Sequence, residues 1–330
     1  MIKSILRSSL LFVLLIILSC ESDDSKQEIV DINPFEGTIS LRTQEDLNTF
    51  GANDYTETTG SLNIENSKGP TAITDLNSLE SLRSVTGGVL IGRNEELTSL
   101  QGLHNIQFIG NILSIAENPN LESMQGLSGL LELGGPFLLV RQNPKITNLD
   151  GFEQVSANNL SLNISDNDLL ENVDALSNIQ SYSGDINFFD NPRLQNLNGI
   201  QNASFSDIDR LSVAECNILT SIEPLAGISS LNHGLLIYKN PLLTNLEGLN
   251  DITNIGFGVD ISLNDTLQSI DALSALTSVE NTVLLRYNYV LTDFCSLTAL
   301  VTSGNLDGFF TEENGYNPTA QDIIDGNCSL

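Results

Sequence analysis

Between about residues 60 and 300 the chain repeats a single pattern of apolar and polar positions, plainest in LLIYKNPLLTNLEGLNDITNIG (235–256). An apolar-x-apolar segment leads to an Asn, and single apolar residues follow at set distances. Aligned on that Asn, the chain superposes on itself at Asn94, Asn118, Asn143, Asn167 and Asn191, then at Asn240, Asn264 and Asn288, mostly in steps of 24 or 25 residues. The one double step, 49 residues from Asn191 to Asn240, is divided by Cys216, with Val213 three before it, Leu219 three after and Ile222 six after. Five and three residues ahead of the aligned position stand Leu113/Ile115, Leu138/Val140, Leu162/Ile164, Leu211/Val213, Leu235/Ile237 and Val259/Ile261. Such alternation predicts a strand with one buried face. Small-then-apolar pairs follow at eight and nine residues, as in Gly102-Leu103 and Gly151-Phe152, and the small member suits a tight corner with unusual φ. Apolar residues at so many phases predict a coil filled from all sides, which is buried only when neighbouring coils stack.

The aligned position closes each coil, where backbone groups turn inward. A buried Asn amide satisfies them and stacks on the Asn of the next coil. Leucine-rich repeats accept Asn or Cys there, and a thiol is small and tolerates burial. Cys216 is therefore read as a ladder member rather than a nucleophile, with no His or acidic partner in register to make it a thiolate.

The unit resembles the receptor L-domain-like repeat, related to leucine-rich repeats and common in surface lipoproteins of Bacteroidetes. The likeness covers about Gly37 to Cys328; NPNL, NPKI, NPRL and NPLL stand where ordinary leucine-rich repeats carry N-x-L. It implies a mainly β fold, a right-handed parallel β-solenoid of about ten ~24-residue coils between two caps, whose sheet face often binds partners. Residues 37–60 form the expected N-terminal cap, with GTISL as an edge strand and TQEDLNTFG (43–51) as a short helix capped by Thr43. Residues 61–294 form the solenoid, with Ser67 in the first ladder place, and residues 295–330 the C-terminal cap. DFCSL and NPTAQDIIDGNC look like the family's C-terminal cap. Cys295 and Cys328 either close it as a disulfide in an oxidising compartment or remain two free thiols.

The first 19 residues read as a processing signal: Lys3 and Arg7 precede the apolar run Leu10–Leu18, too short to span a bilayer. IILSC resembles a lipoprotein lipobox, making Cys20 the lipidated residue, with an ordinary secretory signal as the alternative. ESDDS after it looks like an export signal for the outer surface of the outer membrane, and residues 20–36 read as an acidic tether. The expected address is an outer membrane, reached through the lipid anchor alone, facing the exterior.

Composition narrows the partners. The chain has 13 Lys+Arg against 42 Asp+Glu, a net charge of −29; without Lys3 and Arg7 it is near −31. That charge opposes nucleic acid and anionic headgroups. There is no EF-hand loop, G-x-S-x-G, Walker loop or H-E-x-x-H, and no cofactor or metal is expected, although the acidic loops leave Ca²⁺ an open question. His104 and His233 fall at different phases on distant coils and read as surface turn residues. The outward strand positions, four and two residues before the ladder, include Leu139/Arg141, Phe189, Leu236/Tyr238 and Leu284/Arg286. Arg93, Lys145, Arg193 and Lys239 lie close by, gathering six cations into one strip. Arg with exposed aromatics and leucines has the composition of a recognition surface, and these seven outward residues are the candidate binding face for a protein or glycan. The competing reading is that the cations merely offset nearby acids. The function expected is non-catalytic binding or adhesion at the cell surface; the alternatives are a carbohydrate-active β-helix enzyme and a structural envelope protein.

Overall fold

The computed structural model describes residues 32–66 and 71–330. The signal segment, Cys20 and Ser67 lie outside the described residues. Twelve parallel strands form the long face: β1 (Ile39–Leu41), β2 (Leu62–Glu65), β3 (Val89–Gly92), β4 (Leu113–Ala116), β5 (Phe137–Arg141), β6 (Leu160–Ser165), β7 (Ser181–Phe189), β8 (Ser204–Ala214), β9 (Leu235–Tyr238), β10 (Val259–Ser262), β11 (Ser278–Arg286) and β12 (Leu306–Glu312). Each pairs with the next. A second face begins with two-residue strands, Pro34–Phe35, Glu57–Thr58, Ser84–Val85, Phe108–Ile109 and Glu132–Leu133. The fold is mainly β, a parallel β-solenoid. The inward residues stack coil on coil, Leu113 on Leu138, Leu138 on Leu162, Leu162 on Ile186 and Ile186 on Leu211, so one continuous core runs through the molecule.

Each ladder residue from Asn94 onward follows a residue with left-handed backbone: Arg93, Glu117, Gln142, Asp166, Asp190, Glu215, Lys239, Leu263, Tyr287 and Glu313, all with φ between 50° and 59°. That conformation is costly outside glycine and persists because the ladder holds the corner. Asn143 shows how. Its N–H donates to Asn167 Oδ1 (3.1 Å), and its Nδ2 donates to the carbonyls of Ile115 and Arg141 (2.9 Å each). Its Oδ1 in turn accepts from the backbone N–H and Nδ2 of Asn118 (3.3 and 3.1 Å). Cys216 sits fully buried in the same row. Its N–H donates to Asn240 Oδ1 (3.1 Å) and its thiol reaches the Ala214 carbonyl (3.5 Å). Burial pushes that thiol up to about 12.

Three expectations need correction. The first ladder bond comes from Asn66, whose N–H donates to Asn94 Oδ1 (3.2 Å). No left-handed residue intervenes after β2, so the ladder place arrives one residue before Ser67. At the other end the ladder runs on to Asn314, which takes both the N–H and Nδ2 of Asn288 (3.1 and 3.0 Å) and donates its own N–H to Asn317 Oδ1 (2.9 Å). The segment 295–330 thus holds a further coil, with β12 paired to β11, before the cap proper. Thirdly, Pro34–Phe35, expected within the tether 20–36, is already the first strand of the second face. It is fastened there by Phe35 against Phe50 and Tyr55 (5.5 and 5.4 Å between ring centroids).

The small corner residue also has a second cause. Gly102, Gly151 and Gly248 do have positive φ, but Gly126 and Gly199 do not. There a Cβ would stand 2.0 Å from the Leu100 carbonyl carbon or 1.8 Å from the Val173 carbonyl oxygen, so the close approach of the preceding coil excludes a side chain.

The N-terminal helix α1 (Gln44–Gly51) has a full capping box, Thr43 with Asp46, and buries Leu47 and Phe50 against the first coil. At the far end α2 (Thr298–Ser303) leads into β12 and packs against α3 (Ala320–Ile324). Cys295 and Cys328 are joined by a disulfide, with Cα atoms 4.9 Å apart.

Candidate functional site

Most coils turn from the second face into the long face through a corner, but β7, β8 and β11 run straight through it as strands of 9, 11 and 9 residues. Each carries a register shift. Between Gly184↔Ile208 and Ile186↔Leu211 the two residues Asp209 and Arg210 face the single Asp185, and a similar shift falls at Asn281 between β11 and β12. Such bulges re-aim side chains. Between these long strands β9 and β10 are short, and each begins directly after a glycine, Gly234 and Gly258.

The result is an open groove of about 720 Å³ across β7–β11. Two outward rows line it. Six residues before the ladder stand Asp185, Arg210, Gly234, Gly258 and Thr282; four before it stand Asn187, Ser212, Leu236, Asp260 and Leu284, with Asn163 beside Asn187. The paired glycines leave the middle of the first row without side chains, so Arg210 and Thr282 stand on either side of a trough. Phe257 and Asn281 also line it. Phe257, 60% exposed, lies between Gly256 and Gly258.

Polar groups of the groove are partly tied. Arg286 holds Asp260 (3.4 Å), and Ser262 Oγ donates to the other carboxylate oxygen. Asn187 Nδ2 donates to Asn163 Oδ1 (3.3 Å), and Thr282 Oγ1 to Asn281 Oδ1 (2.9 Å). Asp209 is drawn away by Asn232 Nδ2 (3.1 Å) and His233 (3.9 Å). Arg210, exposed, makes no ion pair among the described residues.

The seven residues expected to form the binding face are divided by this geometry. Leu236 and Leu284 line the groove. Phe189, Tyr238 and Arg286 lie in the neighbouring row, Phe189↔Ala214↔Tyr238↔Ser262↔Arg286, outside the lining. Leu139 and Arg141 lie on β5, apart from the groove. The strip of cations is not a basic surface. Arg93 pairs with Glu65 (2.6 Å) and Glu117 (3.2 Å), Arg141 with Glu117 (3.6 Å), Lys239 with Glu215 (2.9 Å) and Arg286 with Asp260. Four of the six cations therefore offset acids on adjacent coils; Lys145 and Arg193 make no ion pair among the described residues. Asp166, Asp190 and Glu215 continue the same corner row, and their mutual repulsion adds to burial in raising the Asp190 carboxyl above its usual range.

His104 lies in a turn, its ring near the Gln101 and Asn105 side chains, and His233 is exposed. Among the described residues no group of three or more His, Cys, Asp or Glu side chains could hold a metal ion. None of the described helices is long and apolar enough to cross a membrane. The row six before the ladder, with Arg210 and Thr282 either side of two glycines, escapes a reading that ends every strand five residues before the ladder. Its signal is that FSDIDRLS and VENTVLLR carry Arg210 and Thr282 directly before the inward pair, where the coils between them carry Gly234 and Gly258.

Residues 56–158 match the family described as Receptor L domain. No curated protein and no solved structure matches the chain.

Proposed function

From the receptor L-domain character of residues 56–158 we propose that the chain is a non-catalytic binding module that takes its partner in the groove across β7–β11. We place it, lipid-anchored through Cys20, on the outer face of an outer membrane. The observation that carries the binding role is the groove itself. It is an open concavity on the sheet face that joins exposed apolar side chains to polar groups, the usual make-up of a recognition site. Catalysis has less support, because one of its two carboxylates, Asp260, is already engaged by Arg286 and Ser262.

The test uses the purified protein on an array carrying neutral glycans, acidic glycans and extracellular proteins. Ser212→Trp fills the groove floor, and Ser114→Trp places the same bulk in the same row on β4, outside the groove. Binding by the parent and by Ser114→Trp, lost in a Ser212→Trp protein of unchanged melting temperature, supports the reading. Equal binding by both variants, or no binding at all, refutes it. Release of reducing sugar from any bound glycan would point instead to an enzyme. For the anchor, a fatty-acid label should enter the parent and not Cys20→Ser, and protease added to intact cells should remove the protein.

A further inference from the structure

Resting on that reading of the groove, we propose that its ligand is a neutral oligosaccharide, bound lengthwise across the strands. Four observations converge on this class.

First, the groove lies on a face and not on an edge. Strands β7 to β11 are each paired on both sides, so their backbone groups are occupied and no ligand can add itself as a further strand. Recognition must run through side chains.

Second, those side chains suit hydroxyl groups, which both donate and accept. Asn163, Asn187, Arg210 and Ser212 at one end of the groove, and Asn281 and Thr282 at the other, offer amides, hydroxyls and a guanidinium. The Asn187–Asn163 bond leaves the Asn187 carboxamide oxygen and the Asn163 amide without a partner among the described residues. Asn163, Asn187 and Ser212 stand in one row on three successive strands, about 4.8 Å apart, close to the advance of an extended chain of pyranose rings per residue.

Third, Phe257 stands exposed between two glycines above a floor that lacks side chains. A sugar ring presents a face of C–H groups that an aromatic ring covers well. Leu284 and the adjoining Phe310, 58% exposed and paired with it across β11 and β12, extend the apolar end.

Fourth, charge selects against polyanions. The chain carries −29, and Asp185 and Asp260 line the groove beside Arg210. Sulfated, sialylated or uronate-rich glycans would be repelled.

The same array decides the question. Neutral glycans should be retained and acidic ones not. Phe257→Ala should bind the retained glycan about tenfold more weakly, the loss of one aromatic platform, and Asn187→Ala should also weaken it. Phe137→Ala removes an exposed Phe from β5, outside the groove, and should bind as the parent does. Binding only to arrayed proteins, or only to acidic glycans, with Ser212→Trp still abolishing it, overturns this inference and leaves the binding module standing. Unaltered affinity in a folded Phe257→Ala protein overturns it as well. Loss of groove dependence altogether overturns both.

Discussion

Asn167→Ala is the sharpest test of how the coils are held together. Asn167 is fully buried in mid-ladder. Its Nδ2 donates to the carbonyls of Val140 (3.0 Å) and Ser165 (2.9 Å) and to Asn191 Oδ1 (3.2 Å). Its Oδ1 accepts the backbone N–H of Asn143 (3.1 Å). Truncation removes all four bonds, but they do not weigh equally. The Ser165 carbonyl still accepts from Gln142 N–H (3.0 Å), whereas the Asn143 N–H is left buried without an acceptor, a cost of about 1–3 kcal/mol. Adding the small cavity, the total is about 2–5 kcal/mol. Asn167→Cys should cost less, because Cys216 already works in this row: its sulfur fills the space and remains close to the turn carbonyl. Equilibrium denaturation of parent and variants gives the stabilities, and hydrogen exchange of the Asn143 amide reports the orphaned donor directly, which matters because repeat arrays can unfold in parts. An Ala variant within about 0.5 kcal/mol of the parent, or a Cys variant as damaged as the Ala one, would refute the ladder as the main device closing each corner.

Three further outcomes follow from single groups. With Cys20 replaced by Ser, the native protein should show no titratable thiol and the denatured one a single thiol, Cys216, since burial keeps it protonated; native-state reactivity would contradict its place in the core. Tyr182 is fully buried, with a hydroxyl that has no partner among the described residues and a ring stacked on Phe205 (5.9 Å between centroids). Tyr182→Phe keeps the ring and should raise stability by about 1 kcal/mol, and a lower melting temperature would show that the hydroxyl is used. Asp190 has its carboxyl raised by burial and by Glu215, Asp166 and Asp168. The folded state therefore holds this proton more tightly than the unfolded chain does. Its favourable contribution exists below the ordinary carboxylate range and is lost as pH rises through the raised value. Asp190→Asn, at a left-handed position that Asn tolerates, should thus melt like the parent in acid and above it at neutral pH; a gap that does not widen with pH would refute this.

Much of the fold was legible because the inward positions obey one rule in every coil. Leu162, Ile164, Val173 and Leu176 differ in identity from their counterparts in the next coil but not in phase, and each must be apolar to be buried between two neighbours. The ladder ends were less legible. Asn66 comes early because β2 runs into the ladder without a left-handed residue, and Asn314 comes late because a 26-residue step falls outside the regular spacing. Counting residues could not register a corner that had lost or gained one. The corner cations misled for a different reason: Arg93, Arg141 and Lys239 are visible as a basic strip only while Glu65, Glu117 and Glu215 are not placed beside them, and exposed pairs of this kind neutralise a surface without adding much stability.

The groove was least legible, and the cause lies in how a solenoid distributes its constraints. An inward substitution in one coil disturbs two neighbours, so inward positions stay alike. An outward position touches only the same position one coil away, and it is free to differ. A site can then be made by altering the entry to a few coils: running β7, β8 and β11 straight through the corner, with a shift that turns out Arg210 and Asn281, and ending the intervening coils in Gly234 and Gly258. None of these changes touches the buried rows, since Ile186, Leu211, Leu235, Val259 and Val283 remain in register beneath the groove. Recognition and stability are therefore separable in this chain. Substitutions at Phe257, Asn187 or Arg210 should alter binding with little change in melting temperature, while Leu211→Ala, directly beneath, should cost about 2–5 kcal/mol. Melting temperatures of the two sets decide it. A Phe257→Ala protein as destabilised as Leu211→Ala would show that the groove is part of the core's support and not a surface laid over it.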